Sequence, residues 1–522
     1  MDSEASQSPA KKNLFRSSAI VGLMTMVSRF LGLARDVVVA NFFGASAGAD
    51  AFFVAFKIPN FFRRLFAEGA FSQAFIPVLA DYKDGQDRDA VRTLLGSVLG
   101  VLGAVLFVFS LLAVLGAPWV TALFAPGFLD EPAKYELAST MLQITFPYLF
   151  LISLTAFAGA VLNSYGNFAV PAFTPVLLNL SLIASAVFLT PLFAQPVIAL
   201  AWGVFIAGVL QLFFQLPFLL RLGLLPRPIL DYRHEGVRKI GALMLPAMFG
   251  VSVSQINLLL DTILASLLQT GSVSWLYYSD RLVELPLGVF GIAIATVILP
   301  ALSANNAAKS EEAFSATIDW ALKMVLLIGL PAALALIVLA EPLIAVLFHY
   351  GALNDTDVLQ SAHSLRAYAL GLLAFMFVKV LAPGFFARKD MRTPVKIGIY
   401  AMIANMVFNL ALIWPLQHAG LALATAMSAW LNAICLLVVL KRQGVYKSGN
   451  GWSVFVIRLL GAVVAMVLVV SYLNSPTQEW LVWDAWQRIS TIGLLVICGI
   501  FSYFIVLLCL GLNLKNMLKQ KV

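Results

Sequence analysis

The 522-residue chain is 61% apolar and only 11% charged, with a mean hydropathy of +0.92. Soluble domains sit at roughly 45–50% apolar, so a string of soluble domains is excluded and the chain reads as an all-α polytopic membrane protein. Its net charge of +8 then belongs to the cytoplasmic loops of a membrane protein and does not point to nucleic acid.

The opening MDSEASQSPAKK is polar and leads into a long apolar segment without a small-residue cleavage site, so no removable signal peptide is expected. Windows long enough to cross about 30 Å of hydrocarbon predict fourteen transmembrane helices, near 14–43, 48–80, 90–117, 136–163, 171–192, 196–220, 237–268, 272–304, 314–339, 360–386, 394–415, 419–440, 452–473 and 487–511. With the N-terminus in the cytoplasm, cytoplasmic segments with their adjoining helix ends hold 22 of the 34 Lys and Arg residues, against only Lys134 and Arg488 on the outer side. Both termini are therefore predicted to be cytoplasmic. The predicted organisation is a polar tail (1–13), an N-lobe of helices 1–6 (14–222), a C-lobe of helices 7–12 (223–441), and helices 13–14 with a basic C-terminal tail (442–522).

The first two helices are unlike the rest. Between Ser28 and Glu68, two strongly apolar segments carry Arg29, Arg35, Asp36, Asp50, Lys57, Arg63, Arg64 and Glu68. A charge at the bilayer centre costs roughly 2.5–3.5 kcal/mol on insertion scales, so five cations facing lipid would exceed a typical domain's stability. Helical spacing puts Lys57, Arg64 and Glu68 on one face with Arg63 beside them, and Arg29 with Asp36 on another. Snorkelling or internal ion pairing is the plainer reading. Against it, three carboxylates do not neutralise five cations, and a ligand carrying phosphate or carboxylate would complete the balance.

An internal repeat is visible. A shift of 223 residues lays SQAFIPVLA (72–80) on ATVILPALS (295–303), pairing Pro77 with Pro300, and also pairs Pro171 with Pro394. With one inserted residue, PWVTALFAPG falls on PLIAVLFHYG. Six helices per repeat is an even number, so the copies share an orientation and a cavity between two lobes is the expected ligand site, with the last two helices an appendage. The same shift brings Lys57 beside Arg281 in SWLYYSDRLVELP, where Asp280 and Glu284 can clamp the arginine until a ligand competes. A purely structural Arg281–Glu284 pair is the alternative. Asp261 stands alone in QINLLLDTILASLL; with Asn405, Asn409 and Thr425 it would offer oxygens that suit sodium, polar glue between helices being equally open. Cys435, Cys498 and Cys509 lie in apolar runs without paired or metal-type spacing, and the four histidines fall in loops or at helix ends.

The motifs SRFLGLARD, DAFFVAFKIPNFFRRLFAEGAFSQAFIP, GSVSWLYYSDRLVELP and KVLAPGFFARKDMRTPVKI resemble those of the MurJ (MviN) family of bacterial lipid II flippases, within the multidrug/oligosaccharidyl-lipid/polysaccharide exporter superfamily. The likeness runs over essentially the whole chain. It implies two pseudo-symmetric six-helix lobes around a central cavity, a C-terminal helix pair forming a groove for the polyprenyl tail, and residence in the bacterial inner membrane. By motif, the substrate-binding residues it implies are Ser28, Arg29, Arg35, Asp36, Asp50, Arg63, Arg64, Asp280, Arg281 and Glu284. For the sodium held by some members it implies Asp261, Asn405, Asn409 and Thr425, with Asn409 standing where an aspartate is expected, which lowers the charge of such a site.

The expected activity is transport without catalysis: alternating access carries lipid II to the outer leaflet for peptidoglycan synthesis, driven by membrane potential or sodium. Expected partners are lipid II, membrane lipids and the cell-wall synthesis and division proteins, with no nucleic acid, and the chain is expected to act as a monomer. Rival readings are a flippase for another polyprenyl-linked oligosaccharide, or a cation-coupled exporter, whose cavity should be acidic. A membrane glycosyltransferase would need an acid cluster and large loops, whereas the longest outer loops, near 340–359 and 474–486, hold no metal-type spacing.

Overall fold

The structure, a computed structural model, describes residues 9–85 and 87–512. The start of the polar N-terminal tail, the end of the basic C-terminal tail and the side chain of Glu68 lie outside the described residues. Every regular element among the described residues is helical. Grouped by their mutual contacts, the elements form two units, Met1–Thr270 and Gly271–Val522.

The first unit opens with α1 (Pro9–Phe43) and α2 (Ala47–Arg63). The Ser46 hydroxyl caps α2 by accepting from the Ala49 N–H at 3.2 Å, and Asp50 lies in its first turn, where the helix dipole favours an acid. A π turn (Arg64–Phe71) then carries the chain into α3 (Ser72–Asp84). After it come α4 (Arg88–Leu115), the short α5 (Ala117–Phe124), α6 (Pro132–Thr145), α7 (Pro147–Ser164), α8 (Ala169–Ala184), α9 (Ile198–Leu222) and α10 (Glu235–Ser266). Aromatic packing of Phe71, Phe75 and Phe157 joins α3 and the π turn to α7 in a core that also takes Leu94 and Leu95 of α4.

The second unit contains α11 (Ser272–Pro286), a π turn of its own (Leu287–Gly291), α12 (Ile292–Ala307), α13 (Glu311–Val338), α14 (Ala340–Phe348), α15 (Asp355–Ala369) and α16 (Leu372–Phe386). Beyond these lie α17 (Arg392–Arg442), α18 (Trp452–Leu473), α19 (Thr477–Val482) and α20 (Ala485–Cys509). Gln417 breaks α17 with a φ of 51°, and Gly420 lets the two arms meet: a side chain there would begin 2.3 Å from the Leu412 carbonyl oxygen.

The 223-residue repeat extends to the element boundaries. Helices α4 and α13 start and end at that offset, α5 and α14 start at Ala117 and Ala340, α6 and α15 at Pro132 and Asp355, and the π turns at Arg64 and Leu287. A π turn adds one residue to a helical turn and re-aims the next stretch of helix, and here it recurs in the charge-bearing helix of each unit. Helix α10 is the counterpart of α1, both ending at that offset, yet it packs within the first unit against the π turn, α3 and α4. Gly127 makes room for its end: a Cβ there would lie 2.0 Å from the Ser266 carbonyl oxygen, and its N–H donates to Ser266 Oγ at 3.3 Å.

Nine segments among the described residues are long and apolar enough to cross a membrane, α17 counting as one. The longer segments outside that set are α1, the α2–α3 pair, α10 and the α11–α12 pair, three of which hold the predicted substrate-binding residues. Helices α18 and α20 pack on each other, and the Tyr503 hydroxyl donates to the Leu327 carbonyl of α13 at 2.6 Å. Their outward faces carry exposed Ile457, Leu468, Phe501 and Leu508, as lipid contact requires.

At the α14 end of this unit, Glu341 accepts from the Arg366 guanidinium at 2.8 Å and from the Thr477 hydroxyl. Burial opposes its ionisation, but these two hydrogen bonds and the Arg366 charge prevail and hold the carboxyl below the ordinary glutamate value. A depressed folded pKa stabilises at neutral pH and is lost as pH falls through the folded value. In thermal melts from pH 7 to 3, Glu341→Gln is therefore expected to lie below the wild type at neutral pH and to converge with it on acidification; parallel curves would refute this.

Candidate functional site

In the first unit the residues singled out from the sequence are held differently from one another. Arg35 and Asp36 are 7% and 1% exposed and form an ion pair at 2.6 Å, with Arg35 Nε adding a second bond at 2.9 Å to the same carboxylate oxygen. Arg35 also donates to Asn179 Oδ1 on α8 at 3.1 Å, and Asn179 in turn donates to the Ser28 carbonyl at 3.0 Å. Asn179 thus fixes the guanidinium and ties α1 to α8. Burying such a pair is tolerated only where hydrogen bonds of this kind offset the lost hydration.

Asp50, 1% exposed, pairs with Lys134 of α6 at 3.4 Å. Lys134 is itself buried, also reaches Glu131 at 3.3 Å and Thr270 at 3.0 Å, and lies over the Phe128 ring. From the sequence, Lys134 is expected in an outer loop; the structure instead buries it within α6. Its counterpart in the repeat, Asp357, accepts from Trp275 Nε1 at 2.9 Å, so in each unit the same position of the repeat locks α6 onto α2 or α15 onto α11.

Farther along α2, Lys57 donates to Thr262 of α10 at 3.1 Å, and Arg63 Nε donates to Asn60 at 2.9 Å. Arg64 is exposed and reaches Gln255 of α10 at 3.5 Å. Ser28 and Arg29 are half-buried on α1. The first unit therefore brings Ser28, Arg35 and Asp36 together through Asn179, and sets Asp50 apart with Lys134.

In the second unit, Arg281 donates to Glu284 at 2.7 Å and to the Tyr277 hydroxyl at 3.3 Å, its guanidinium carbon 4.8 Å from the Tyr277 ring centroid. Arg281 and Glu284 keep 32% and 46% of their side-chain surface exposed, and Asp280 is half-buried beside them. The Glu284 arm of the clamp expected from the spacing is present, and Tyr277 adds a stacking face that the spacing had not indicated. An anion reaching this half-exposed guanidinium exchanges one carboxylate for its own oxygens.

Of the possible sodium ligands, Asp261 lies on α10 of the first unit, while Asn405, Asn409 and Thr425 lie on α17 of the second. Asn409 Nδ2 donates to Asn405 Oδ1 at 3.0 Å, Asn405 Nδ2 reaches the Thr425 and Ser428 hydroxyls at 3.4 Å, and those hydroxyls donate to backbone carbonyls. The Thr425 and Ser428 oxygens accept from the Asn405 amide, which joins the two arms of α17. Among the described residues no group of three or more His, Cys, Asp or Glu side chains could hold a metal.

Comparison with known proteins gives this arrangement a family. The family model described as lipid II flippase MurJ matches residues 39–490. The chain belongs to the lipid II flippase MurJ family. The probable lipid II flippase MurJ of Vibrio cholerae serotype O1 is 51% identical over 513 residues, covering 97% of this chain and 98% of its own. The corresponding protein of Haemophilus influenzae is 49% identical, covering 95% and 100%. A solved structure of lipid II flippase MurJ in an inward closed conformation matches with a TM-score of 0.78 at 25% identity, covering 94% of this chain and 98% of that one. An inward-facing multidrug transporter of the MATE family matches with a TM-score of 0.65 at 16% identity, which shows a shared fold alone. The MurJ family expectation and the all-helical membrane fold are thus borne out.

Proposed function

We propose that this protein moves lipid II, the undecaprenyl-diphosphate-linked disaccharide-peptide, from the inner to the outer leaflet of the bacterial inner membrane for peptidoglycan synthesis. The observation that carries the reading is identity of 51% over 97% of the chain to a relative bearing that name. The chemistry agrees. Diphosphate recognition favours planar guanidinium forks, and arginines stand in apolar helices of both units. The protein acts as a transporter and makes or breaks no covalent bond, working by alternating access. In this reading the chain crosses the membrane fourteen times, with both termini cytoplasmic.

In this reading Arg29, Arg35, Arg63 and Arg281 contact the diphosphate, while Asp36, Asp280 and Glu284 hold guanidinium groups in place when no cargo is bound and help release it afterwards. Membrane potential, worth about 2.3 kcal/mol per charge per 100 mV, is the favoured drive, since the amide and hydroxyl cluster on α17 suits a structural role better than sodium coupling.

Liposomes containing the purified protein and lipid II, held at clamped potential in sodium-free buffer, test this. Translocation is expected to track the potential and to persist without sodium; no translocation, or the appearance of a covalently altered lipid, would overturn the proposal. Arg281→Lys keeps the charge but loses the fork and its stacking on Tyr277. It is expected to slow translocation at least tenfold, ~1.4 kcal/mol, and a wild-type rate would remove the fork from the mechanism.

A further inference from the structure

Within the first unit, α7, α8 and α9 line a half-open cavity of about 460 Å³, with Arg63, Ser72 and Ile76 completing its lining. That volume falls within the range of small-ligand pockets, roughly 300–1,000 Å³. Its wall is polar in an unusual way. Gln211 and Gln215, one turn apart on α9, are 2% and 1% exposed.

Gln211 Nε2 donates to the Thr174 carbonyl at 3.0 Å, and Gln215 Nε2 donates to Thr174 Oγ1 at 2.9 Å. A carbonyl only accepts, and the Thr174 hydroxyl spends its own proton on the Val170 carbonyl at 3.1 Å. Both amides are therefore fixed with nitrogen toward Thr174, and both Oε1 atoms are left without a hydrogen-bond partner among the described residues. Gln215 Oε1 lies 3.6 Å from where a side chain on Gly159, another lining residue, would begin.

Two orphaned amide oxygens ask for donors, and each buried acceptor left unmatched costs about 1–3 kcal/mol. The neutral acceptors suit hydroxyl and amide N–H groups, while Arg63 at the same cavity supplies a cation. A hexosamine linked to phosphate offers that combination. We infer that this cavity receives the diphosphate-proximal sugar of the cargo, with Gln211 and Gln215 accepting from its hydroxyl or acetamide N–H groups while Arg63 faces the phosphate side. The inference rests on the proposed function and deepens it, because it places recognition of the saccharide within α7, α8 and α9 of the first unit.

The test compares binding of lipid II with binding of undecaprenyl diphosphate, which has tail and diphosphate but no sugar, to the full-length protein in detergent. The wild type is expected to prefer lipid II by at least tenfold. The double variant Gln211→Leu with Gln215→Leu is expected to lose that preference while holding the sugar-free lipid as tightly as before. Ala156→Leu, which fills the cavity and leaves both amides in place, is expected to do the same, and it keeps the test decisive if the double variant does not fold. Retention of the wild-type preference by a folded variant of either kind would overturn the inference alone. A wild type that binds no lipid II would overturn the proposed function and this inference with it, whereas equal binding of both lipids by the wild type would refute the sugar site only.

Discussion

Arg35→Ala is expected to abolish lipid II translocation and to lower the melting temperature of the purified protein. The guanidinium makes two bonds to Asp36 and one to Asn179, and Asp36 is 1% exposed. Removing one partner of a buried ion pair costs about 3–5 kcal/mol, because the other charge stays behind. The same change releases Asn179 from one of its two links between α8 and α1. Arg35→Lys separates the two effects. It keeps the charge against Asp36 but lacks the fork that spans Asp36 and Asn179, so melting should recover more than transport. Translocation at the wild-type rate by the lysine variant would mean that the pair is structural only.

The second large effect is expected at Asp319, on α13 of the second unit. One of its oxygens accepts from the Tyr446 hydroxyl at 2.9 Å, the Gly449 N–H at 3.1 Å and Trp452 Nε1 at 2.6 Å; the other pairs with Lys323 at 2.7 Å. These bonds fasten the loop after α17 and the first residue of α18 to α13. Asp319→Ala strands three donors and a partly buried lysine, and a loss of about 3 kcal/mol is expected from the lost bonds and desolvated groups. The checks are the melting temperature and the rate of protease cleavage within 443–451. Cleavage at the wild-type rate would show that other contacts hold α18 in place.

The legibility of the fold and of the candidate site in the sequence depends on the kind of signal. Cations set in apolar helices stand out by hydropathy contrast, which is why Arg29, Arg35, Lys57, Arg63, Arg64 and Arg281 could be named. The Arg281–Glu284 contact came from helical spacing. The repeat was visible through proline, which constrains the backbone at corresponding places, and the shift it suggested also relates the helix boundaries. Long-range partners were not legible. Nothing local marks Asn179 as the residue joining Arg35 to the Ser28 carbonyl, or Lys134 as the partner of Asp50. The π turns were missed because an extra residue in a helical turn leaves the apolar pattern almost unchanged, and α5 and α14 because eight or nine apolar residues are too few to separate from a loop.

The position of α10 bears on how the chain is made. A nascent chain that has completed α9 still lacks the helix that covers α3 and α4, since that helix is the opening element of the second repeat. The first unit therefore stays incomplete in the bilayer until the ribosome has delivered residues up to Ser266. Two separately expressed fragments should reassemble when the gene is divided between Thr270 and Gly271, and should fail when it is divided just after α9.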